Sequence, residues 1–529
     1  MNFIEASVLI LFMAILCVPV ANRFKIPLEI FLFIGSCFIS LIPGLPTVTL
    51  DPMVVFDLFL PPILFAAAYF TSWKDFKFNL RPITLLAFGL VIFTSLIVAV
   101  VAKLILPSFS WAEAFLLGAI IAPTDASAAT AIIKRLGAPK RIITILEGES
   151  LINDATALII YRFSIAAIVY GSFSLPDAIL EFSLITTGGL FVGFAISTVA
   201  VNIYRLIDDR RAETAFTFIT AFASYLIAER LGFSGVIATV VSGIWAGFYF
   251  PEFAATQTKV NAKAAWGVLL FIINGFVFTL IGFQLPMVIK NLGDYQLKDL
   301  IYYGSVISAV VILVRICWIY PAAYIPRLLF PAIARRDPVA SWKYLFTLGW
   351  TGMRGIVSLA AVLAIPSLTA KHLPFSHVEL LIFVTYFVMM ATLIIPTFTL
   401  PFLVQKFNLS DSNDNTKQEA LARLCAVDAV IKRINYFANE NQIPMQVVNE
   451  FLENLLKRKE VIQTQLSDNP YSVLSNNYFA YKKLVYEAIK IEREKIIVMR
   501  RHGEIDEEIF RNLSEELDLE EIRMNSMRI

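Results

Sequence analysis

The chain has 529 residues, 58% of them hydrophobic and 16% charged, with a mean hydropathy of +0.71. That is too apolar for a soluble protein of this size, so the sequence belongs among all-α polytopic membrane proteins. The formal net charge of +2 carries no basic excess, and no nucleic-acid partner is expected. Asp, Glu, Lys and Arg number 47 in residues 1–404 but 39 in residues 405–529, which divides a transmembrane domain (1–404) from a soluble one (405–529).

The amino terminus, M-N-F-I-E-A-S-V-L-I-L-F, has no basic residue before its apolar run and no small-residue cleavage site. It reads as a first span and not as a removed leader. A span needs about 20 mostly apolar residues. Thirteen such stretches follow one another, near 3–21, 27–43, 53–71, 82–106, 111–134, 142–170, 178–204, 212–231, 233–250, 264–286, 300–325, 343–366 and 378–404. Alternate loops then hold 18 Lys and Arg on one side and five on the other. The basic side is expected in the cytoplasm, with the amino terminus outside and the carboxyl terminus inside a cell membrane. Arg162, Arg315 and Arg354 remain within spans, where each needs a partner or a watery cavity.

Two spans carry interruptions. In A-I-I-A-P-T-D-A-S-A-A-T, Pro123 removes a backbone donor and Thr124–Asp125 can start a new helix. In L-G-W-T-G-M-R-G-I-V-S-L, Gly349, Gly352 and Gly355 surround Arg354. The breaks lie seven spans apart. An odd offset reverses direction through the bilayer, which predicts inverted repeats whose broken helices cross at the midplane. The tail has helical periodicity at Leu424, Val427, Ile431 and Ile434, then at Val448, Phe451, Leu455 and Ile462, then at Leu484, Ala488 and Ile491. Asp411–Asn415 reads as a linker, Gly503 as a helix stop, and Asp506–Leu517 as a short acidic helix. A helical regulatory or dimer-supporting domain fits, with a small-molecule or protein regulator as its partner. The four cysteines (Cys17, Cys37, Cys317, Cys425) show no metal or disulfide spacing, and the three histidines lie outside the spans. His372 and His377 read as solvated residues of an outer loop.

The stretch Ile145–Tyr161, I-L-E-G-E-S-L-I-N-D-A-T-A-L-I-I-Y, matters most for function. Spacings of i,i+4 pair Glu149 with Asn153 and Ser150 with Asp154, placing four oxygen-bearing side chains on one helical face. Ionisable groups at membrane depth usually mark an ion or substrate path. Arg354 is the expected counter-charge for Glu149, and Asp125 caps a half-helix and offsets its positive end. Arg315 reads equally as a buried structural arginine or as part of the transport path. Asp154 is left without a fixed partner. Such a carboxylate takes either a proton or a metal cation, and competition between the two is what an exchanger requires. The other class considered is an intramembrane aspartyl protease built on Asp125 and Asp154. Its paired-carboxylate chemistry suits poorly a site crowded by a third acid, an amide and an arginine.

The motifs A-P-T-D, E-S-L-I-N-D and G-M-R-G resemble the monovalent cation:proton antiporter family, in its sodium/proton exchanger branch. So do F-L-P-P-I-L-F at Phe59–Phe65, Y-L-I-A-E-R-L-G-F-S-G at Tyr225–Gly235, and the tail pattern G-E-I-D ending in E-L-D-L-E-E. The resemblance implies a secondary transporter that needs no cofactor. It implies a homodimer, with a core domain (spans 4–6 and 11–13) moving elevator-like against a dimer domain (spans 1–3 and 7–10). It also implies that Na⁺ or Li⁺ is held by the Asp154 carboxylate, the Ser150 hydroxyl, the Thr124 backbone carbonyl and Glu149, directly or through water. Asp125, Asn153, Arg354 and Arg315 support the site in this reading. The Asn153–Asp154 pair goes with electroneutral one-for-one exchange. Potassium/proton exchange on the same fold is the alternative.

Overall fold

The computed structural model describes residues 3–24, 26–42, 55–171, 174–254, 256–290, 296–337, 340–365, 377–409, 414–440, 444–466, 473–502, 504 and 507–526. Among these there is helix and no strand, in two compact units, Met1–Ser410 and Asp411–Ile529. In the first unit, α1 (Phe3–Phe24) and α2 (Leu28–Ser40) form a pair bent by 114°. A π-helical turn at Val55–Phe59 leads into α3 (Leu60–Tyr69), followed by α4 (Trp73–Phe78) and α5 (Leu80–Thr84). A second π turn at Leu85–Leu90 enters α6 (Val91–Ile105), and α7 (Trp111–Ile121) and α8 (Ser127–Arg135) are the halves of a broken span. The long α9 (Lys140–Tyr170) comes next, then α10 (Leu175–Tyr204), α11 (Arg210–Arg230), α12 (Gly235–Phe253) and α13 (Thr256–Phe283). Short α14 (Leu285–Lys290) precedes α15 (Leu297–Leu329) and α16 (Pro331–Arg336). The second broken span is α17 (Trp342–Trp350) with α18 (Ile356–Leu363), and α19 (Val378–Lys406) ends the unit.

Seven described helices are long and apolar enough to cross a bilayer, or eight if the bent α1–α2 pair counts as one. The sequence reading expected thirteen crossings. Several of the other candidates fall short for visible reasons: the two breaks leave half-helices, and α11 begins with Arg210, Arg211 and Glu213. The short junction between the eighth and ninth spans is a real turn. Gly232 there takes φ +79, a left-handed conformation that closes α11, while the Phe233 N–H donates back to Ala228.

The helices of this unit pack in two groups. One holds α1, α2, α3 and α10 to α13, with α10 along α12, α13 along α2 and α12 along α3. The other holds α6 to α9 and α15 to α19, with α7 against both α6 and α9, and α15 against α17 and α19. Helix α9 touches α3 and α12 of the first group, so it stands at the boundary.

The second unit contains α20 (Asp414–Glu440), α21 (Met445–Leu466), α22 (Val473–Arg501) and α23 (Glu507–Ser526). Ala420, Val427 and Ile462 bury the α20–α21 contact, and Arg493 on α22 binds Asp518 and Glu521 on α23. Helix α20 begins inside the stretch read as linker, and the acidic helix runs on to Ser526 instead of stopping at Leu517. Gly503, Asp506 and His372 lie outside the described residues. His377 is no solvated loop residue. Its Nδ1 lies 3.1 Å from Oε1 of Glu113, whose other oxygen accepts the Ser110 N–H in the capping box of α7.

Candidate functional site

The two breaks meet and satisfy each other's backbone. A helix interrupted inside a protein leaves unpaired N–H and C=O groups that water cannot reach. Here the Asp125 N–H donates to Met353 O (2.8 Å), the Ala126 N–H to Ser150 Oγ (3.3 Å) and the Ser127 N–H to Asp125 Oδ1 (2.8 Å). From the other break, Arg354 Nε donates to Ile121 O (3.1 Å), the carbonyl ending α7, and Nη1 to Gly352 O (2.7 Å). Glycine is required on both sides of Arg354 by close approach. A Cβ at Gly355 would run into the Asp125 carboxylate, and one at Gly352 into the Arg315 side chain.

Arg354 is therefore not the partner of Glu149, contrary to the sequence expectation. Arg315 on α15 takes that place, with Nη1 2.5 Å from Oε1 and Nη2 2.9 Å from Oε2. Such a two-pronged pair suits the planar guanidinium, and both side chains are about 2% exposed or less. Thr124 Oγ1 donates to the same Glu149 oxygen (2.9 Å), and Asn153 Nδ2 donates to Thr124 O (2.8 Å) and Oγ1 (3.1 Å). Arg354 instead acts as a cap for the end of α7. Sequence position alone favoured it because its span is the repeat partner of the broken fifth.

Ser150 and Asp154 face elsewhere. They line a cavity of about 320 Å³ together with Thr124, Asp125, Ser127 and Ser358, and with apolar residues of α3 and α13. Glu149 does not line it. The four polar residues of α9 thus form two edges and not one face, as successive residues sit about 100° apart around a helix. Among the described residues no group donates a hydrogen bond to Asp154. The buried oxygens Asn153 Oδ1 and Ser358 Oγ also have no partner. Ser127, Ser358 and Asn274 on the cavity wall escaped the sequence reading, since lone Ser and Asn residues in spans carry no pattern. Lys134 and Glu147 line the same cavity and pair with each other at 2.7 Å.

Arg162 lies apart from the site. It pairs with Glu229 (3.0 Å), whose other oxygen accepts the Gly235 N–H at the start of α12. No group of three His, Cys, Asp or Glu suited to a metal ion occurs among the described residues. A cation in this cavity would be held by one or two carboxylates with hydroxyl and carbonyl oxygens, which suits a weakly held hard cation passing through.

A polytopic all-helical fold, two broken helices bonded to one another and a buried carboxylate on a cavity define a secondary transporter. The sequence profile of the sodium/hydrogen exchanger transmembrane family matches residues 8–406, and the chain belongs to that family, which is a transporter family and not an enzyme class. It is 30% identical to the sodium, potassium, lithium and rubidium/H⁺ antiporter of Bacillus pumilus, over 99% of this chain and 78% of that one. It is 29% identical to the Na⁺/H⁺ antiporter ApNhaP of Aphanothece halophytica, over 89% and 87%. In structure it is similar to the sodium proton antiporter MjNhaP1 from Methanocaldococcus jannaschii at pH 8. The TM-score is 0.58 and the identity 19%, over 76% of this chain and 98% of that one. At that identity the likeness concerns the fold.

Proposed function

We propose that this chain exchanges Na⁺ or Li⁺ for H⁺, one for one, with Asp154 binding either ion in turn. The observation that carries the reading is the contrast on α9: Glu149 is held by Arg315 and Thr124, whereas Asp154 borders the cavity with no donor. Ser150 Oγ and the Thr124 carbonyl are the neutral oxygens of the set, with Glu149 acting behind them and not on the ion. Asp125, Asn153, Arg354 and Arg315 hold the crossing together.

In this proposal spans 4–6 and 11–13 form a core that moves elevator-like against spans 1–3 and 7–10, which carry the contact of a homodimer. The packing of the helices into two groups, with α9 at the boundary, supports that division. The concentration of loop Lys and Arg on one side supports an outside amino terminus and a cytoplasmic carboxyl terminus, and residues 405–529 are assigned to a cytoplasmic regulatory domain as part of the proposal. Potassium stays as the second reading, because the B. pumilus relative is named for sodium, potassium, lithium and rubidium.

The test is ion-driven proton movement in vesicles holding the full-length protein, with Na⁺, Li⁺ and K⁺ compared across pH. Direct competition for one carboxylate predicts that the apparent KM for Na⁺ rises as pH falls, approaching about tenfold per unit where the proton dominates. It also predicts a bell-shaped rate, since protons become scarce at high pH. A KM for Na⁺ that does not move with pH would separate the two ions into different sites.

A further inference from the structure

At the end of the membrane unit where loop Lys and Arg concentrate, three segments converge on Asp337, which follows α16. Arg81 Nη2 lies 2.7 Å from Oδ2, Arg141 Nη1 2.9 Å from Oδ1 and Arg327 Nη2 2.8 Å from Oδ2. Arg327 Nε also donates to the Asp337 backbone carbonyl (2.8 Å), and Arg141 Nε to Asn79 Oδ1 (2.9 Å). Burial pushes the Asp337 carboxyl up, but hydrogen bonding from Arg141 and the charges of Arg141, Arg327 and Arg81 outweigh it and hold the group below the usual carboxylate range. Asp337 is therefore ionised at neutral pH. Three guanidinium groups against one carboxylate still leave two positive charges.

Those charges border a pocket of about 40 Å³ that Arg81, Arg141, Arg327 and Tyr344 line together with apolar residues. Two donors among the lining residues have no acceptor: Arg81 Nε and Tyr344 Oη, both buried. A buried donor left unpaired is costly, the more so when it is charged. Excess positive charge, spare donors and a defined space call for the same occupant. The space holds about three water-sized positions at roughly 10–15 Å³ each, which suits one tetrahedral oxyanion and excludes a nucleotide. We propose that this pocket binds a phosphate-class oxyanion, bonded by Arg81 and Tyr344 and neutralised by the three arginines. Free phosphate and the phosphodiester of an anionic lipid headgroup share that chemistry. Either would tie together α5, α9, α15 and α17, whose ends carry the pocket.

The experiment uses full-length protein in neutral phosphatidylcholine vesicles and follows thermal unfolding in two arms. One titrates inorganic phosphate against chloride at matched ionic strength, and the other replaces part of the lipid with phosphatidylglycerol. Two variants accompany the wild type: Arg81→Lys, which keeps the charge but loses Nε–H and the fork, and Tyr344→Phe, which loses only the hydroxyl. Stabilisation by phosphate, with about tenfold more needed for Arg81→Lys and a few-fold more for Tyr344→Phe, supports the site with a free anion as ligand. Stabilisation by phosphatidylglycerol alone, weakened in the same order by the variants, supports it with a headgroup as ligand. No stabilisation in either arm overturns the proposal. So does an equal response of wild type and both variants, which would reduce the effect to general surface charge.

Discussion

Two edges of α9, one residue apart, have opposite electrostatic fates. The Glu149–Asn153 edge turns toward Thr124 and Arg315, where every charge is matched and nearly every donor is bonded. The Ser150–Asp154 edge turns toward the cavity, where a carboxylate stands without a donor. A carboxylate thus serves as fastening on one side and, in the proposed exchange, as the ion-binding group on the other. A rotation of about 100° decides which. The buried pair gives rigidity at the crossing. The open carboxylate leaves Asp154 free of any fixed donor, as the proposed exchange requires.

The sharpest way to break that contrast is to neutralise each edge in turn. Asp154→Asn should abolish exchange while leaving the melting temperature of the protein near that of the wild type, because it removes an unpaired charge. Vesicle transport and a thermal melt on the same preparation check this. Retained exchange would move the carrier away from the cavity edge. On the other edge, Glu149→Ala and Arg315→Ala should each destabilise by about 3–5 kcal/mol, since either leaves a buried charge unmatched. The double variant should lose clearly less than the sum, and the Glu149–Arg354 cycle should show weaker coupling than Glu149–Arg315. Equal coupling in the two cycles would mean that both arginines serve Glu149.

Much of this was legible in the chain, and what was not has a physical reason. Pro123 and the glycines about Arg354 announce two breaks, because they remove a donor or a Cβ where a helix needs them. The i,i+4 spacing announces a polar stripe, since helical geometry is local. The partner of Glu149 was not legible. Choosing between Arg315 and Arg354 depends on how α15 packs against the crossing, a contact across 166 residues of sequence that no local pattern encodes. Nor could spacing say that the stripe splits into two edges, which depends on what packs on each side. Thr124 illustrates the mixture: its place in the break was readable, whereas its bonds to Glu149 and Asn153 were not. The triple-arginine cluster at Asp337 was visible only as loop charge that sets orientation.

A finer comparison concerns the cavity wall itself. Ser127 and Ser358 bring hydroxyls to the wall, on α8 and α18 from the two different breaks, and that of Ser358 is buried without a partner. If they complete the oxygen set around a cation, Ser127→Ala and Ser358→Ala should each raise the KM for Na⁺ by about two- to tenfold, the loss of a single neutral ligand. The thermal stability of Ser358→Ala should stay level or rise slightly, because an unsatisfied hydroxyl is removed. Unchanged KM in both would leave Asp154, Ser150 and the Thr124 carbonyl as the whole set.

The smallest expected effect is also the most discriminating, because it should be zero. At the crossing Arg315 neutralises Glu149, and Asn153 carries no charge. The positive end of α8 lies beside Asp125, and Arg354 on the other break carries the opposite charge. Asp154 alone on the cavity wall is left to be neutralised in each state that crosses, by one Na⁺ or by one H⁺. Both half-cycles then move the same net charge. The membrane potential, worth about 2.3 kcal/mol per charge per 100 mV, should leave the exchange equilibrium where the ion gradients set it. The measurement clamps vesicles with valinomycin and potassium and reads the sodium gradient at which net flux stops, against imposed voltage. A stopping point that shifts with voltage would require a second proton per cycle. Two carboxylates are placed to supply it: Glu149, on release from Arg315, and Asp125, which lines the cavity. Repeating the clamp with Asp125→Asn separates them, because only an Asp125 proton would vanish with that substitution. A shift that survives it would return Glu149 to the transport path and take from the Arg315 pair the purely structural role given to it here.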